Sequence, residues 1–305
     1  MSDEKNHGNF KSGFISFVGR PNAGKSTIIN AILGKKVAIT SNTVQTTRHR
    51  FRAVYTQDNF QMIMVDTPGL HKAGDALGDH LNASALKSLE DVDIVAMVVD
   101  STKEIGTGDV WVSNHVQSTK AIKILILNKL DLVSDELLQN QLNSITKLGS
   151  FDKVICVSAK TGENVEELID LVQHALPQGP LWFPVDMETD QPLEVMIAEF
   201  VREKILRNFH DEVPHAIGVV CEEMQYDRRK DLYRIFCDIF VERDSQKGMI
   251  IGSKGASIKE IGSSARIDLE HLLGCRVFMD LRVKVKKNWR RDLNQIKRFG
   301  YGEGQ

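Results

Sequence analysis

Nine consecutive residues, Gly19-Arg20-Pro21-Asn22-Ala23-Gly24-Lys25-Ser26-Thr27, constrain this chain more than any other stretch. They fit G-x-x-x-x-G-K-[ST], stand directly after the apolar run 14–18, and lead into an amphipathic stretch at 25–33. Glycines at both ends let the backbone curl so that successive N–H groups converge on phosphate oxygens. Lys25 then supplies a point charge and Ser26 a hydroxyl for Mg²⁺. A helix beginning at Lys25 directs its N-terminal partial positive charge at the same phosphates. The plain alternative is a glycine-rich turn that binds nothing. Apolar strand before and helix after favour the phosphate reading, with Gly19, Asn22, Ala23, Gly24, Lys25, Ser26 and Thr27 around the ligand and Lys25 in a catalytic position.

A phosphate loop does not choose the base. Three later stretches do. Asp66-Thr67-Pro68-Gly69 follows the apolar run 61–65, where P-loop nucleotidases place a Mg²⁺-linked carboxylate. Asn128-Lys129-Leu130-Asp131 follows 122–127, and a carboxylate there accepts from both N1–H and the N2 amino group of guanine, a pairing that adenine does not offer. Ser158-Ala159-Lys160 follows 154–157, and its backbone is placed to donate to guanine O6. Any one of these is ordinary loop chemistry. In order, each after a strand, they point to GTP, with Asp66, Gly69, Asn128, Lys129, Asp131, Ser158, Ala159 and Lys160 as binding residues.

Up to about residue 177 short apolar runs (14–18, 61–65, 94–99, 122–127, 154–157) alternate with helical patterns at 25–33, 77–89, 109–118, 136–147 and 165–176. This alternation predicts an α/β domain over 12–177, mostly parallel sheet with helices on both faces. Its ligand belongs at the carboxyl ends of the strands. Residues 1–11 read as a flexible N-terminus. Pro177, Pro180, Pro184 and Pro192 then break all periodicity, which predicts a semi-rigid linker over 178–193. From 194 to 285 the pattern becomes helix (Ile197, Val201, Ile205, Phe209), two alternating strands, a short helix, Gly252-Ser253-Lys254-Gly255, a longer helix and a last strand through Val277 to Val285. Residues 286–305 form a basic C-terminal tail.

The whole-chain charge of −2 hides an uneven distribution: Lys284, Lys286, Lys287, Arg290, Arg291, Lys297 and Arg298 stand against Asp292 alone in 284–298. Trp289, Phe299 and Tyr301 interleave with these cations, a pattern that attracts phosphates and offers rings for base stacking. A solvated, fraying tail, suggested by Gly300, Gly302 and Gly304, is the alternative. Cys156, Cys221, Cys237 and Cys275 are far apart and read as free thiols of a reducing cytosol. The nine histidines show no metal-ligand spacing. MSDEKNHGNF has no apolar core for a signal peptide, and no apolar run approaches the ~20 residues that cross a bilayer. A soluble cytoplasmic protein is expected.

The four nucleotide motifs resemble those of the translation-factor-related GTPases. In that class a threonine between the first helix and second strand reaches Mg²⁺ and the γ-phosphate. Gln45-Thr46-Thr47-Arg48-His49 resembles that element, so the resemblance implies Thr47 as ligand beside Ser26 and Asp66, with Thr46 the alternative by one register. Leu70 stands where Ras-like relatives carry a water-orienting glutamine, so Lys25, Thr47 and Gly69 are the implied catalytic set. Asn22 resembles the asparagine with which some of these GTPases hold K⁺ near the phosphates; loop-turn stabilisation is an equally simple account. The α-β-β-α-GxxG-α-β order resembles a type II KH domain, an α+β module whose GxxG clamps about four nucleotides of single strand. A glycine-capped helix–turn–helix is the bland reading. The RNA-binding candidates are Gly252, Ser253, Lys254, Gly255, Lys284, Lys286, Lys287, Trp289, Arg290 and Arg291.

Taken together, GTPase, proline linker and single KH module resemble the Era family of bacterial GTPases over nearly the whole chain. That resemblance implies a monomeric switch protein that hydrolyses GTP, binds the 3′ end of 16S rRNA, and assists 30S subunit assembly. It also implies loose, peripheral association with the inner membrane and a link to cell cycle and growth control. Two rivals are compatible with the sequence. One is a constitutive RNA-binding protein with a vestigial GTPase half; the other is a signalling or membrane-associated GTPase, although no terminal cysteine for lipidation is present.

Overall fold

The computed structural model describes residues 10–41, 43, 46–70, 74–209 and 212–301. The N-terminus expected to be flexible lies almost wholly outside them, as do Gln45, Gly302 and Gly304. The first half runs β1 (Lys11–Gly19), α1 (Lys25–Leu33), β2 (Phe51–Gln57), β3 (Phe60–Asp66), α2 (Ala76–Lys87), β4 (Ile94–Asp100), α3 (Thr107–Gln117), β5 (Ile122–Asn128), α4 (Asp135–Ser144), β6 (Lys153–Val157) and α5 (Val165–Ala175). Six strands pair in the order β2-β3-β1-β4-β5-β6, parallel except for the antiparallel β2–β3 pair. Continuous apolar runs make both faces of the central strands apolar, so helices must cover both. Ile15, Phe17, Ala96 and Ile124 face α1 and α5, while Val18, Met97 and Leu125 face α2, α3 and α4. Sequence order reverses at β1, which lies between β3 and β4, and that reversal opens a crevice at the carboxyl ends of these strands.

β2 is absent from the sequence reading. Its residues, FRAVYTQ, alternate weakly, and its strand state comes from its partners. Gln57 pairs with Phe60 across an Asp58-Asn59 turn, and Val54 N–H donates to Glu188 O at 2.8 Å on the outer side. The proline-rich segment therefore lies along the sheet margin. Trp182 N–H donates to Gln61 Oε1 at 2.9 Å, and Arg52 N–H to Asp190 Oδ1 at 2.7 Å. Prolines cannot complete a ladder, but the residues between them satisfy a sheet edge that would otherwise be open.

The second half runs α6 (Leu193–Asn208), α7 (Val213–Ala216), β7 (Gly218–Asp227), β8 (Leu232–Val241), α8 (Asp244–Ile251), α9 (Ala256–Leu273), β9 (Arg276–Val285) and α10 (Leu293–Arg298). β7 and β8 are antiparallel and β8 and β9 parallel. One face of this sheet packs on α6 and α9 through Ile197, Val201, Ile235, Ile239, Ile261 and Leu269. The type II KH order is reproduced, with α7 and α10 as additions that short or mixed sequence patterns did not announce.

The tail corrects two expectations. Trp289, Phe299 and Tyr301 do not stack on bases: all three are buried, in a cluster with Leu77 and Leu81 of α2 and Phe240 of β8. Trp289 Nε1–H donates to Ala216 O at 2.9 Å, and the Arg48 guanidinium lies 5.2 Å from the Tyr301 ring centre. A ring with no exposed face has no room for a base. Nor are the cations all free. Arg290 pairs with Asp75 at 3.2 Å and Glu242 at 2.8 Å, Lys284 pairs with Asp238, and Lys286 donates to Gln295. The tail is a clamp that fastens the KH domain to α2. Trp289→Ala should therefore cost about 3–5 kcal/mol of stability, read from denaturant unfolding of the full chain.

Candidate functional site

Four loops from the carboxyl ends of β1, β3, β5 and β6 converge on one crevice. The loop after β1 curls through Asn22 and Gly24, both at positive φ (64° and 101°). A side chain at Gly24 would run into Asn128 Nδ2, so glycine is required by contact as well as by backbone conformation. Gly69 is similarly crowded, with a β-carbon there 2.8 Å from Pro21 Cα. The two phosphate-facing loops therefore touch.

Lys25 Nζ donates to Arg20 O at 3.2 Å and more weakly to Gly19 O at 3.4 Å, which holds the ammonium over its own loop. Burial pushes its pKa down to about 8, against the pull of Asp66. Burial likewise pushes Asp66 up to about 6, against Lys25 and the hydroxyls of Ser26 and Thr47. Desolvation thus outweighs the pair's mutual attraction on both sides. Ser26 Oγ lies 2.9 Å from Asp66 Oδ2 and 3.0 Å from Thr47 Oγ1, and Thr47 Oγ1 lies 3.3 Å from the same carboxylate oxygen. Asp66 Oδ1 is buried with no hydrogen-bond partner among the described residues. Three hard oxygen donors beside an unsatisfied carboxylate oxygen fit a Mg²⁺ ion. Thr46 does not join them; its hydroxyl bonds Ser41 Oγ at 2.8 Å and Thr43 O at 2.6 Å.

At the other end of the crevice, Ser158 Oγ donates to Asp131 Oδ1 at 2.6 Å and aims that carboxylate. Asn128 ties the loops together, donating to Ala23 O at 2.9 Å and accepting from Ala159 N–H at 3.1 Å. Of the amides offered to guanine O6, Ala159's is therefore already engaged. Lys129, at φ 72°, donates to Asp100 Oδ2 at 2.7 Å; Lys160 is exposed. Asn22 lines the same cavity, of about 440 Å³, as Lys25, Ser26, Thr27, Thr47 and Gly69. Leu70 is 1% exposed and packs into the core rather than into the crevice. The cavity also has a wall the motifs did not name: Ile39, Thr40, Ser41 and, from α6, Arg207. No local signature marks them, because their place comes from one domain packing on the other.

In the KH domain, Gly252 (φ 71°), Lys254 (φ 50°) and Gly255 (φ 79°) make a left-handed turn between α8 and α9. A β-carbon on Gly252 would meet Ser257 N at 2.9 Å, and the Ser253 and Lys254 side chains are exposed. Lys284, Lys287 and Arg291 are exposed as well, with Lys284 and Arg290 held in the ion pairs above.

Comparison with known proteins agrees with this geometry. Residues 14–129 match the sequence family "50S ribosome-binding GTPase", and residues 212–290 match the KH domain family. GTPase Era of Mycobacterium tuberculosis is 44% identical over 297 residues, covering 96% of this chain and 99% of the relative. GTPase Era of Clostridioides difficile is 43% identical over 298 residues, with the same coverage. Among solved structures, Era in complex with MgGDPNP and nucleotides 1506–1542 of 16S ribosomal RNA superposes with TM-score 0.92 at 36% identity, covering 96% and 99% of the two chains. A point variant of Aquifex aeolicus Era bound to GDP·AlF4⁻ superposes with TM-score 0.90 at 35% identity and the same coverage.

Two substitutions test the assignment of the crevice. Lys25→Ala should abolish tight nucleotide binding in calorimetry, since a buried counter-charge is lost. Asp131→Asn should move preference from GTP toward xanthosine triphosphate, because an amide donates to the C2 carbonyl of xanthine. A mutant that still strongly prefers GTP would remove Asp131 from base reading.

Proposed function

The chain belongs to the Era family of GTPases, and we propose that it is a nucleotide-controlled RNA-binding protein that serves assembly of the small ribosomal subunit. One observation carries this reading. A complete nucleotide crevice and an exposed GxxG turn stand on one chain that superposes along 96% of its length on a relative solved with MgGDPNP and 16S rRNA. By that likeness the RNA is the single-stranded 3′ end of 16S rRNA.

The division of labour follows from the crevice. The loop 19–27 cradles the phosphates with its amides, and Lys25 lends its charge to the β- and γ-phosphates. Ser26, Thr47 and Asp66 would hold Mg²⁺, which when bound neutralises charge on the phosphate oxygens. Asp131, aimed by Ser158, reads the guanine edge. Gly69 stands against the phosphate loop, close enough to Pro21 that no side chain fits between them. Leu70 has no hydrogen-bonding group and is buried, so it does not orient the attacking water. We infer that K⁺ beside Asn22 supplies the positive charge that an arginine finger gives elsewhere. Turnover should then be faster in K⁺ than in Na⁺, and Asn22→Ala should remove the difference. Equal rates in both salts would refute the cation while leaving the GTPase intact.

A vestigial GTPase half is disfavoured on physical grounds, because a scaffold has no use for a desolvated Lys25–Asp66 pair that costs stability. A lipid-facing tail is disfavoured because its aromatic rings are internal. Among the described residues no helix is long and apolar enough to cross a membrane. A cytoplasmic location, with peripheral contact at the inner membrane, follows from the family resemblance.

RNA binding centres on Gly252–Gly255, with Lys287 and Arg291 among the exposed cations of the last segment. A Ser253→Asp/Lys254→Asp double variant should lose single-stranded RNA, because two carboxylates would face the phosphates the turn is meant to hold. Both side chains are exposed, so folding and RNA-free GTP turnover should survive. Wild-type affinity in filter binding would break the KH assignment and turn attention to 284–298.

A further inference from the structure

Arg207 sits in the last turn of α6, in the RNA-binding half, yet it lines the same cavity as the phosphate-loop residues Asn22, Gly24 and Lys25. Its guanidinium is held from two sides. Nη2 donates to Thr40 Oγ1 at 3.2 Å and pairs with Glu203 at 3.0 Å, one helical turn back, while Nε lies 3.4 Å from Thr40 O. Glu203 is fully buried, and its other bonds are taken: Thr40 N–H donates to it at 2.9 Å, and Lys36 and Lys204 both pair with it. Lys36 and Lys204 also share Asp268. The cluster thus sets three cations, Lys36, Lys204 and Arg207, against two carboxylates, Glu203 and Asp268. Arg207 is the member that borders the cavity, and its side chain remains 48% exposed. The cavity lining holds the cations Lys25, Lys129 and Arg207, with the Asp66 carboxylate beside it on Ser26 and Thr47. Lys129 is committed to Asp100, at the base-reading end.

We propose that Arg207 is a phosphate-binding residue of the nucleotide site, so that bound nucleotide is gripped by both domains at once. The inference rests on the GTP reading above and extends it to a residue of the KH half. A planar guanidinium fixed by Glu203 and Thr40 presents its remaining N–H groups to an anion with little further loss of freedom. A role confined to propping Thr40 against α6 would be indifferent to how many phosphates the ligand carries. A phosphate contact is not.

Calorimetry on the full chain with Mg²⁺ separates these, using GMP, GDP and a non-hydrolysable GTP analogue as titrants against wild type, Arg207→Ala, Arg207→Lys and Lys25→Ala. Arg207→Ala should lose roughly tenfold or more in affinity for GDP and for the analogue, and clearly less for GMP, as expected for one charge-assisted hydrogen bond. Arg207→Lys should recover part of the loss, since it keeps the charge. An equal loss for all three ligands, or none, would overturn the proposal. If Arg207→Ala binds like wild type while Lys25→Ala does not, the inference fails and the nucleotide site stands. If Lys25→Ala also binds like wild type, the nucleotide site itself is wrong, and this proposal falls with it.

Discussion

Two opposite charges, buried at the start of α1 and the end of β3, organise this molecule. Lys25 and Asp66 are both taken out of water, and for each the cost of desolvation exceeds the attraction of the other. Such a pair is a poor way to stabilise a fold and a good way to prepare a site, because phosphates and a divalent ion restore what burial removed. Everything nearby serves to hold the two in place: Gly24 and Gly69 permit the loops to close, Asn128 braces the loops against one another, and Ser26 with Thr47 satisfies one carboxylate oxygen. The other oxygen is left over.

The segment that completes this site is also the seam between the domains. Thr47 faces Asp66, and the next residue points the other way: Arg48 is buried and donates to Ile217 O at 2.6 Å in the KH half. His49 follows, 3.6 Å from Glu199 of α6, with burial holding its imidazole toward the neutral form. Arg202 of α6 pairs with Glu199 at 2.6 Å and donates to Thr46 O. The backbone around Thr47 is thus tied directly to side chains packed in the second domain. The tail reinforces this seam, since Arg48 also lies against the rings of Trp289 and Tyr301.

Much of the fold was legible in the chain because its signals are local. Strands buried on both faces must be runs of apolar residues, and all five parallel strands were found within three residues at each end. The nucleotide motifs are legible for the same reason, as loops built from consecutive residues whose chemistry does not depend on distant partners. β2 was missed because its pattern alternates weakly and its outer edge is satisfied by residues 188–190, far along the chain. The aromatic tail was misread because composition cannot distinguish a ring that meets a base from one that meets Leu77, Leu81 and Phe240.

By itself, then, the sequence determined most of the order of elements, the phosphate-loop motif, the Asn128-to-Asp131 motif and the GxxG turn, each written within a few consecutive residues. Only the tertiary structure shows that the hydroxyl within reach of Asp66 is that of Thr47, while that of Thr46 bonds Ser41. It also turned the basic tail into an interdomain clamp and brought Arg207 to the nucleotide cavity. The reason is the same in each case: these placements arise where one domain packs on the other, and no periodicity along a chain records which of its surfaces will meet.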